Sequence, residues 1–354
     1  MNKTTEAKRS VRRYFFIGII ILGVVATGVA QPLKIDRNDL FNSDTSIPTL
    51  FLSANFKGIN NKRALEERRP AHARLVLAEN LVLTGNIELR ARGSFRFENC
   101  DPPPLMLHFK TPDGGALTGL GKLKMVWSCN AGEGAEQLLL KEYLAYRIYN
   151  ILTPLSFKVK RLQVEYRDSA KLNKWMKKNA FLLEDIDVLA KRNNCIELED
   201  VRTVSKQIEL SNYTMLAIFQ YMIGNTDWGI PAYHNIKLVV PKGNEALPPF
   251  AIPYDLDYCG LVNAPYAIPN EMLPIYSVRQ RVYMGVVNDP DEIAKTIGTF
   301  MEKKQEIMKL IHEMPGFTDR TRIEVLQFIN EFYDIIENKK KAMEIFMNPP
   351  NINS

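Results

Sequence analysis

The stretch GNTDWGIPAYHNIKLVV (224–240), followed after a short turn by PFAIPYDLDYCG (249–260), decides how this chain is read. Residues 208–223 (IELSNYTMLAIFQYMI) are apolar enough for a buried helix that ends at Ile223. The loop behind it holds Asn225, Asp227, His234 and Asn235. IKLVV (236–240) and FAIPYD (250–255) read as two short strands, the second delivering Asp255 and then Asp257. Two short strands joined by a turn bring their outer ends together. That places Asp227, Asn235 and Asp255 within reach of one another. Carboxylates gathered in this way repel unless a hard divalent cation sits among them, and Mg²⁺ or Mn²⁺ prefers such oxygen donors.

Working outward, the N-terminal side is rich in β signals. TLFLSANFK (49–57) alternates, residues 74–77 and 81–83 are short strand candidates, and NIELRARGSFRF (86–97) alternates until Gly93 interrupts it. LMLHFK (105–110), KLKMVW (122–127), SFKVKRLQVEY (156–166) and AFLLED (180–185) are further strands. One helix, 134–152, is embedded among them with a broad apolar face. Beyond residue 290 the periodicity is helical, in two long segments, 290–313 and 318–346. The expected organisation is a tail over 31–48, a β-rich part with one helix over 49–185, and a mainly helical part over 186–346 that carries the 224–260 hairpin. This is an α+β chain. No doubly wound alternation and no GxGxxG is present, which argues against a dinucleotide-binding fold.

The order of loop acid, amide and hairpin-end acid is also that of protein-kinase-like active sites, where positioning and charge carry phosphoryl transfer. At this level the chain resembles the CotH-type atypical kinases (spore-coat protein H relatives) and, more distantly, the HipA-type kinases. The segments that carry the resemblance are RARGSFR (90–96), LMLHFK (105–110), EYLAYRIYN (142–150), GNTDW with HN (224–228, 234–235) and PYDLDY (253–258). They span about 90–260, roughly half of the chain. The resemblance implies a two-lobed protein-kinase-like fold, with a β-rich N-lobe and a mainly helical C-lobe. It implies phosphoryl transfer from ATP, with Mg²⁺ or Mn²⁺, to a hydroxyl on an unknown protein, peptide or glycan. Asp227 matches the catalytic base and Asn235 a metal ligand. Asp255 or Asp257 matches the second metal ligand, Asp255 being preferred because it directly ends the strand. Lys110 or Lys124 with Glu142 would clamp phosphate, and Arg92 with Gly93 and Ser94 could approach it. The resemblance does not choose between the two lysines.

Two features depart from the kinase pattern. The amide follows the acid by five residues there, whereas Asp227 and Asn235 are eight apart, so a loop containing Gly229 and Pro231 must bulge outward. A glycine-rich loop is also missing. Simpler readings exist for each residue. Asn-Thr-Asp is good turn chemistry, Asp255 and Asp257 share one face of an extended segment, Glu142 fits a helix surface, and His234 would orient the loop. The alternative function is a catalytically inactive kinase-fold scaffold or binding module of the cell envelope.

Residues 14–30 (YFFIGIIILGVVATGVA) form an apolar run behind Lys3, Lys8, Arg9, Arg12 and Arg13. This is the pattern of a signal peptide ending near Ala30, with a retained N-terminal anchor as the alternative. The expected location is outside the cytoplasm: periplasm, cell envelope or secreted. A membrane would be contacted only through an uncleaved leader. The formal charge is +6, of which the leader supplies +4, so the basic balance is no argument for nucleic-acid binding. Cys100, Cys129, Cys195 and Cys259 form no CxxC pair and only four His are present, against a zinc site. In an oxidising compartment Cys100 and Cys129, at the ends of neighbouring β segments, are the favoured pair; four buried thiols are the alternative.

Overall fold

Alternating apolar residues are what turn the first half of this chain into sheet. The computed structural model describes residues 37–42, 47–59, 67–112, 115–129, 132–169, 174–198, 207–230, 233–287 and 289–349. These belong to one compact unit, Lys34–Ser354. The leader, residues 1–30, and Pro231 lie outside the described residues.

A short helix, α1 (Arg37–Asn42), buries Leu40 and Phe41 and precedes β1 (Thr49–Ala54), in which Leu50, Leu52 and Ala54 are buried and their neighbours are not. After the single turn α2 (Phe56–Ile59) come β2 (Arg69–Ala78) and β3 (Leu81–Ala91), paired as an antiparallel hairpin. The helix α3 (Ser94–Asn99) leads to β4 (Leu105–His108), and a 3-10 turn over Gly115–Leu120 connects to β5 (Lys122–Trp127). The long helix α4 (Glu133–Leu152) separates β5 from β6 (Val159–Asp168) and β7 (Met176–Leu183). The strand order is β1-β2-β3-β4-β5-β7-β6, and the sheet closes into a barrel through a parallel β1–β6 pair that runs from Thr49↔Gln163 to Ala54↔Asp168.

The remaining elements are α5 (Ile186–Arg192), β8 (Cys195–Glu197), α6 (Leu210–Ile223), β9 (Ile236–Pro241), β10 (Phe250–Pro253), α7 (Pro290–His312), α8 (Asp319–Glu337) and α9 (Lys339–Met347). β8, β9 and β10 form a separate three-stranded antiparallel sheet. Asp289 caps α7 by accepting from the amides of Asp291 and Glu292, with Pro290 at its first position.

The closed barrel corrects the expected two-lobed protein-kinase-like α+β fold, with its β-rich N-lobe and mainly helical C-lobe. The sheet wraps onto itself instead. The closing partners lie more than a hundred residues apart along the chain, and alternation reads the same in an open sheet and a closed one. Local corrections have local causes. The alternation assigned to 86–97 stops at Ala91, because Gly93 takes a positive φ of 76° and starts a helix. The helical segment expected over 318–346 divides at Asn338, whose side chain accepts from the amide of Lys341 and restarts the helix as α9.

Among the described residues two apolar cores result. The barrel is filled by Leu52, Leu89, Leu107, Leu123, Trp127 and Leu182 among others. The second core gathers α4, α6, α7 and α8 around Leu144, Phe219, Phe300 and Phe332. The outward faces of β5, β6 and β7 add Val126, Val159, Phe181 and Leu183 to it, so the barrel wall is shared between the cores. Cys100 and Cys129 form a disulfide, and Cys195 and Cys259 are buried free thiols. Burial pushes the Cys259 thiol up to about 12, which leaves it protonated and unreactive.

The segment that follows Asp257 is hooked to the end of α6 by two backbone bonds, Gly260 N to Gly224 O at 2.9 Å and Leu261 N to Ile223 O at 2.9 Å. Position 260 needs glycine because an added Cβ would run into the carbonyl oxygen of Val278 and the Cα of Arg279. Gly260→Ala is therefore expected to cost about 1–3 kcal/mol, as overpacking does. Urea unfolding measures this, and an unchanged midpoint would remove the close approach from the account.

Candidate functional site

The C-terminus of α6 sets the first part of the site. Gly224 is left-handed at φ 63°, and the amide of Asn225 donates back to Gln220 O at 2.8 Å, which ends the helix sharply. Asn225 is 1 % exposed. Its amide nitrogen donates to Gln220 Oε1 at 3.0 Å, and its Oδ1 accepts from the backbone N–H of Asp227 at 2.9 Å. The turn holding Asp227 is thus fixed by a buried side chain. His234 then donates Nε2–H to Asp227 Oδ1 at 2.8 Å, since an ionised carboxylate can only accept. Asn235 donates Nδ2–H to Asp227 Oδ2 at 2.9 Å and to Asp227 O at 2.8 Å. The long spacing between Asp227 and Asn235 is taken up by a bridge in which Gly229 and His234 exchange two backbone hydrogen bonds.

The hairpin of β9 and β10 sets the second part. Ile236 pairs with Pro253, and one step further out the amide of Tyr254 donates to Asn235 O at 3.1 Å. Asn235 and Asp255 therefore leave adjacent strands at the same end. Both have positive φ, 51° and 59°. Such backbone costs of order 1–3 kcal/mol per residue and persists where the surroundings enforce it, often at functional sites. The amide of Asp255 donates to the hydroxyl of Tyr146 on α4 at 2.8 Å.

Asp257, the other candidate, is engaged otherwise. Its Oδ2 accepts from Arg96 Nη2 at 2.9 Å, from Arg96 Nε at 3.2 Å and from Tyr266 Oη at 2.8 Å. Arg96 also donates to Glu142 Oε2 at 2.7 Å. Glu142 thus pairs with Arg96 and not with Lys110 or Lys124. Desolvation raises the Glu142 carboxyl to about 7 even though Arg96 opposes it, and the nearby Asp257 and Asp255 raise it further. Asp255 makes no side-chain hydrogen bond among the described residues. It is exposed to solvent. Its pKa is raised, first by desolvation and then by Asp257, while Arg96 and Arg92 pull against this and Asp227 adds to it.

Of the basic candidates, Lys124 faces this region. On β5 it shares the outward face with Val126, and Nζ lies 5.5 Å from the ring centroid of Tyr254 and 5.9 Å from that of Phe157. Desolvation lowers its ammonium to about 8, and Arg92 lowers it further, with Asp185 opposing. Arg92, just past β3, interacts with both Lys124 and Asp255. Neither Arg92 nor Lys124 has an ion-pair partner among the described residues. Lys122 is taken by Asp185 and Lys237 by Glu197. Lys110 lies beyond the end of β4, exposed, with no contact to Asp227, Asn235 or Asp255.

The structure therefore brings Asp227, His234 and Asn235 together with Asp255 at the end of the adjacent strand, with Arg92 interacting with Asp255 and Lys124 beside Tyr254. It sets Asp257 and Glu142 in an adjoining buried cluster with Arg96 and Tyr266, and leaves Lys110 aside. Arg96 and Tyr266 are the residues a reading of the sequence misses. The only sequence signal for Arg96 is the Gly93 break, because a glycine followed by serine can open a helix.

The donor set can be tested against a divalent cation. Among the described residues no group of three His, Cys, Asp or Glu is arranged to hold a metal. Asn235 and Asp255 are a smaller set of the right chemistry. With Nδ2 of Asn235 committed to Asp227, its Oδ1 is left as the ligating atom, and Asp255 is desolvated beside like charges. Mg²⁺ commonly takes one or two protein oxygens and completes its shell with phosphate and water. No protein-family model matches this chain, and no curated protein matches it.

Proposed function

We propose that this protein transfers the terminal phosphoryl group of ATP to a hydroxyl on a protein, peptide or glycan outside the cytoplasm. One observation carries the reading: Arg92 and Lys124, which have no ion-pair partner among the described residues, interact with each other, Arg92 also interacts with Asp255, and Asp255 interacts with Asp227, whose carboxylate is held by Asn235. That pattern complements a polyanion accompanied by a divalent cation. Arg92 and Lys124 would bind phosphate oxygens. Asn235 and Asp255 would hold Mg²⁺ or Mn²⁺, which supplies neutralisation of phosphate charge. Asp227, its carboxylate oriented by His234 and Asn235, would accept the acceptor proton. The acceptor oxygen bonds to the γ-phosphorus, the bond from that phosphorus to the β–γ bridging oxygen breaks, and ADP departs. The Cys100–Cys129 disulfide supports an oxidising location, in line with the leader.

Thermal or chemical unfolding with ATP and Mg²⁺ tests the reading. Saturation at 100 times the dissociation constant is expected to add about 2.7 kcal/mol of stability. Phosphate prefers the charged lysine, half of which is lost at about 8, so affinity should fall as pH rises through that value. Lys124→Met should flatten this pH profile. Full-length protein that gains no stability from ATP with either cation would favour the catalytically inactive scaffold instead.

A further inference from the structure

The phosphoryl-transfer site does not use a cleft of about 670 Å³ beside it. This cleft lies between the first turns of α4 and the segment after Asp257, and its walls include Leu138, Leu139, Val262 and Pro265. Its size and mostly apolar lining are those of small-molecule sites, which carry a few convergent polar groups. Arg96, Glu142 and Tyr266 are such groups here. One guanidinium, that of Arg96, is shared by the carboxyl groups of Glu142 and Asp257 at the polar end of the cleft. The Glu142 side chain is 3 % exposed; Arg96 engages its Oε2, and no described residue donates to its Oε1. Glu142 lines the cleft, so its Oε1 is an acceptor that a cationic donor bound there can engage.

We propose that this cleft binds a primary amine carried on an apolar stem, with the ammonium donating to Glu142 and the stem lying against Leu138, Val262 and Pro265. The site is independent of the phosphoryl-transfer reading, because none of Asp227, Asn235, Asp255 or Lys124 lines it. A ligand there would touch the Arg96 bridge that also holds Asp257, two residues from Asp255, which suits an effector site.

Isothermal titration of the full chain with phenylbutylamine and with phenylbutyrate, in the absence of nucleotide, tests this. The amine is expected to bind at least about tenfold more tightly than the carboxylate, and Glu142→Gln is expected to lose about that factor, the value of one charge-assisted hydrogen bond. Because Glu142→Gln also disturbs a buried ion pair, a second variant is needed. Gly134 lines the cleft, and an added Cβ there would meet no atom within 4 Å. Gly134→Leu should therefore fold at least as well, since glycine is a poor helix residue, and should abolish amine binding by filling the space. Equal binding of both probes would overturn the charge assignment. Amine binding that survives Gly134→Leu, or no binding of either probe to the folded chain, would overturn the site.

Discussion

Asp227→Asn is expected to lower phosphoryl transfer about 10²- to 10⁴-fold, the range attributed to a positioned general base, while ATP with Mg²⁺ still stabilises the fold. The substitution keeps the volume and can keep the contact with His234, at 2.8 Å in the native chain, but removes the proton acceptor. Asp255→Ala should behave differently. It removes a carboxylate assigned to the cation, so both nucleotide stabilisation and transfer should disappear. Labelled ATP with the purified chain, following autophosphorylation in the wild type and both variants, separates the two roles. Equal incorporation by wild type and Asp227→Asn would show that Asp227 takes no proton. Nucleotide stabilisation retained in Asp255→Ala would move the cation elsewhere.

Loss of the disulfide is the second large effect. The bridge joins residues separated by 29 positions, and closing a loop of that length in the unfolded chain corresponds to about 3–4 kcal/mol. The cost should reach the site region, because Cys129 precedes α4, which carries Tyr146 and Glu142. Trp127, beside the bridge, donates Nε1–H to the carbonyl oxygens of Pro102 and Pro103 at 2.9 Å each, so the two segments are also joined by contacts that survive reduction. The Cys100→Ser, Cys129→Ser double variant should therefore remain folded with a lower urea midpoint. A midpoint equal to that of the oxidised wild type would show that the bridge adds nothing.

How much of this was legible in the sequence depended on the distance over which each feature is encoded. The Asp227 loop and the Asn235–Asp255 hairpin were readable because turn residues, strand lengths and a short connection lie within one continuous stretch. The different surroundings of Asp255 and Asp257 were only partly readable. Strand position favoured Asp255, but the physical separation comes from Arg96 and Tyr266, which occupy Asp257 from remote parts of the chain. The partner of Glu142 was hidden for a related reason. Arg96 stands in a segment whose apolar residues continue the strand alternation, and only the positive φ at Gly93 converts it to helix. Barrel closure was not legible, because β1 carries the same pattern whether one or both of its flanks are paired.

That closure has a consequence for the chain as a polymer. β1 satisfies β2 on one flank and β6 on the other, so a single six-residue segment seals the whole cylinder. Strip it away and two rows of bare amides open at once, each a template on which a neighbouring molecule could lay a strand. Holding those first residues in place protects the protein from joining its own kind.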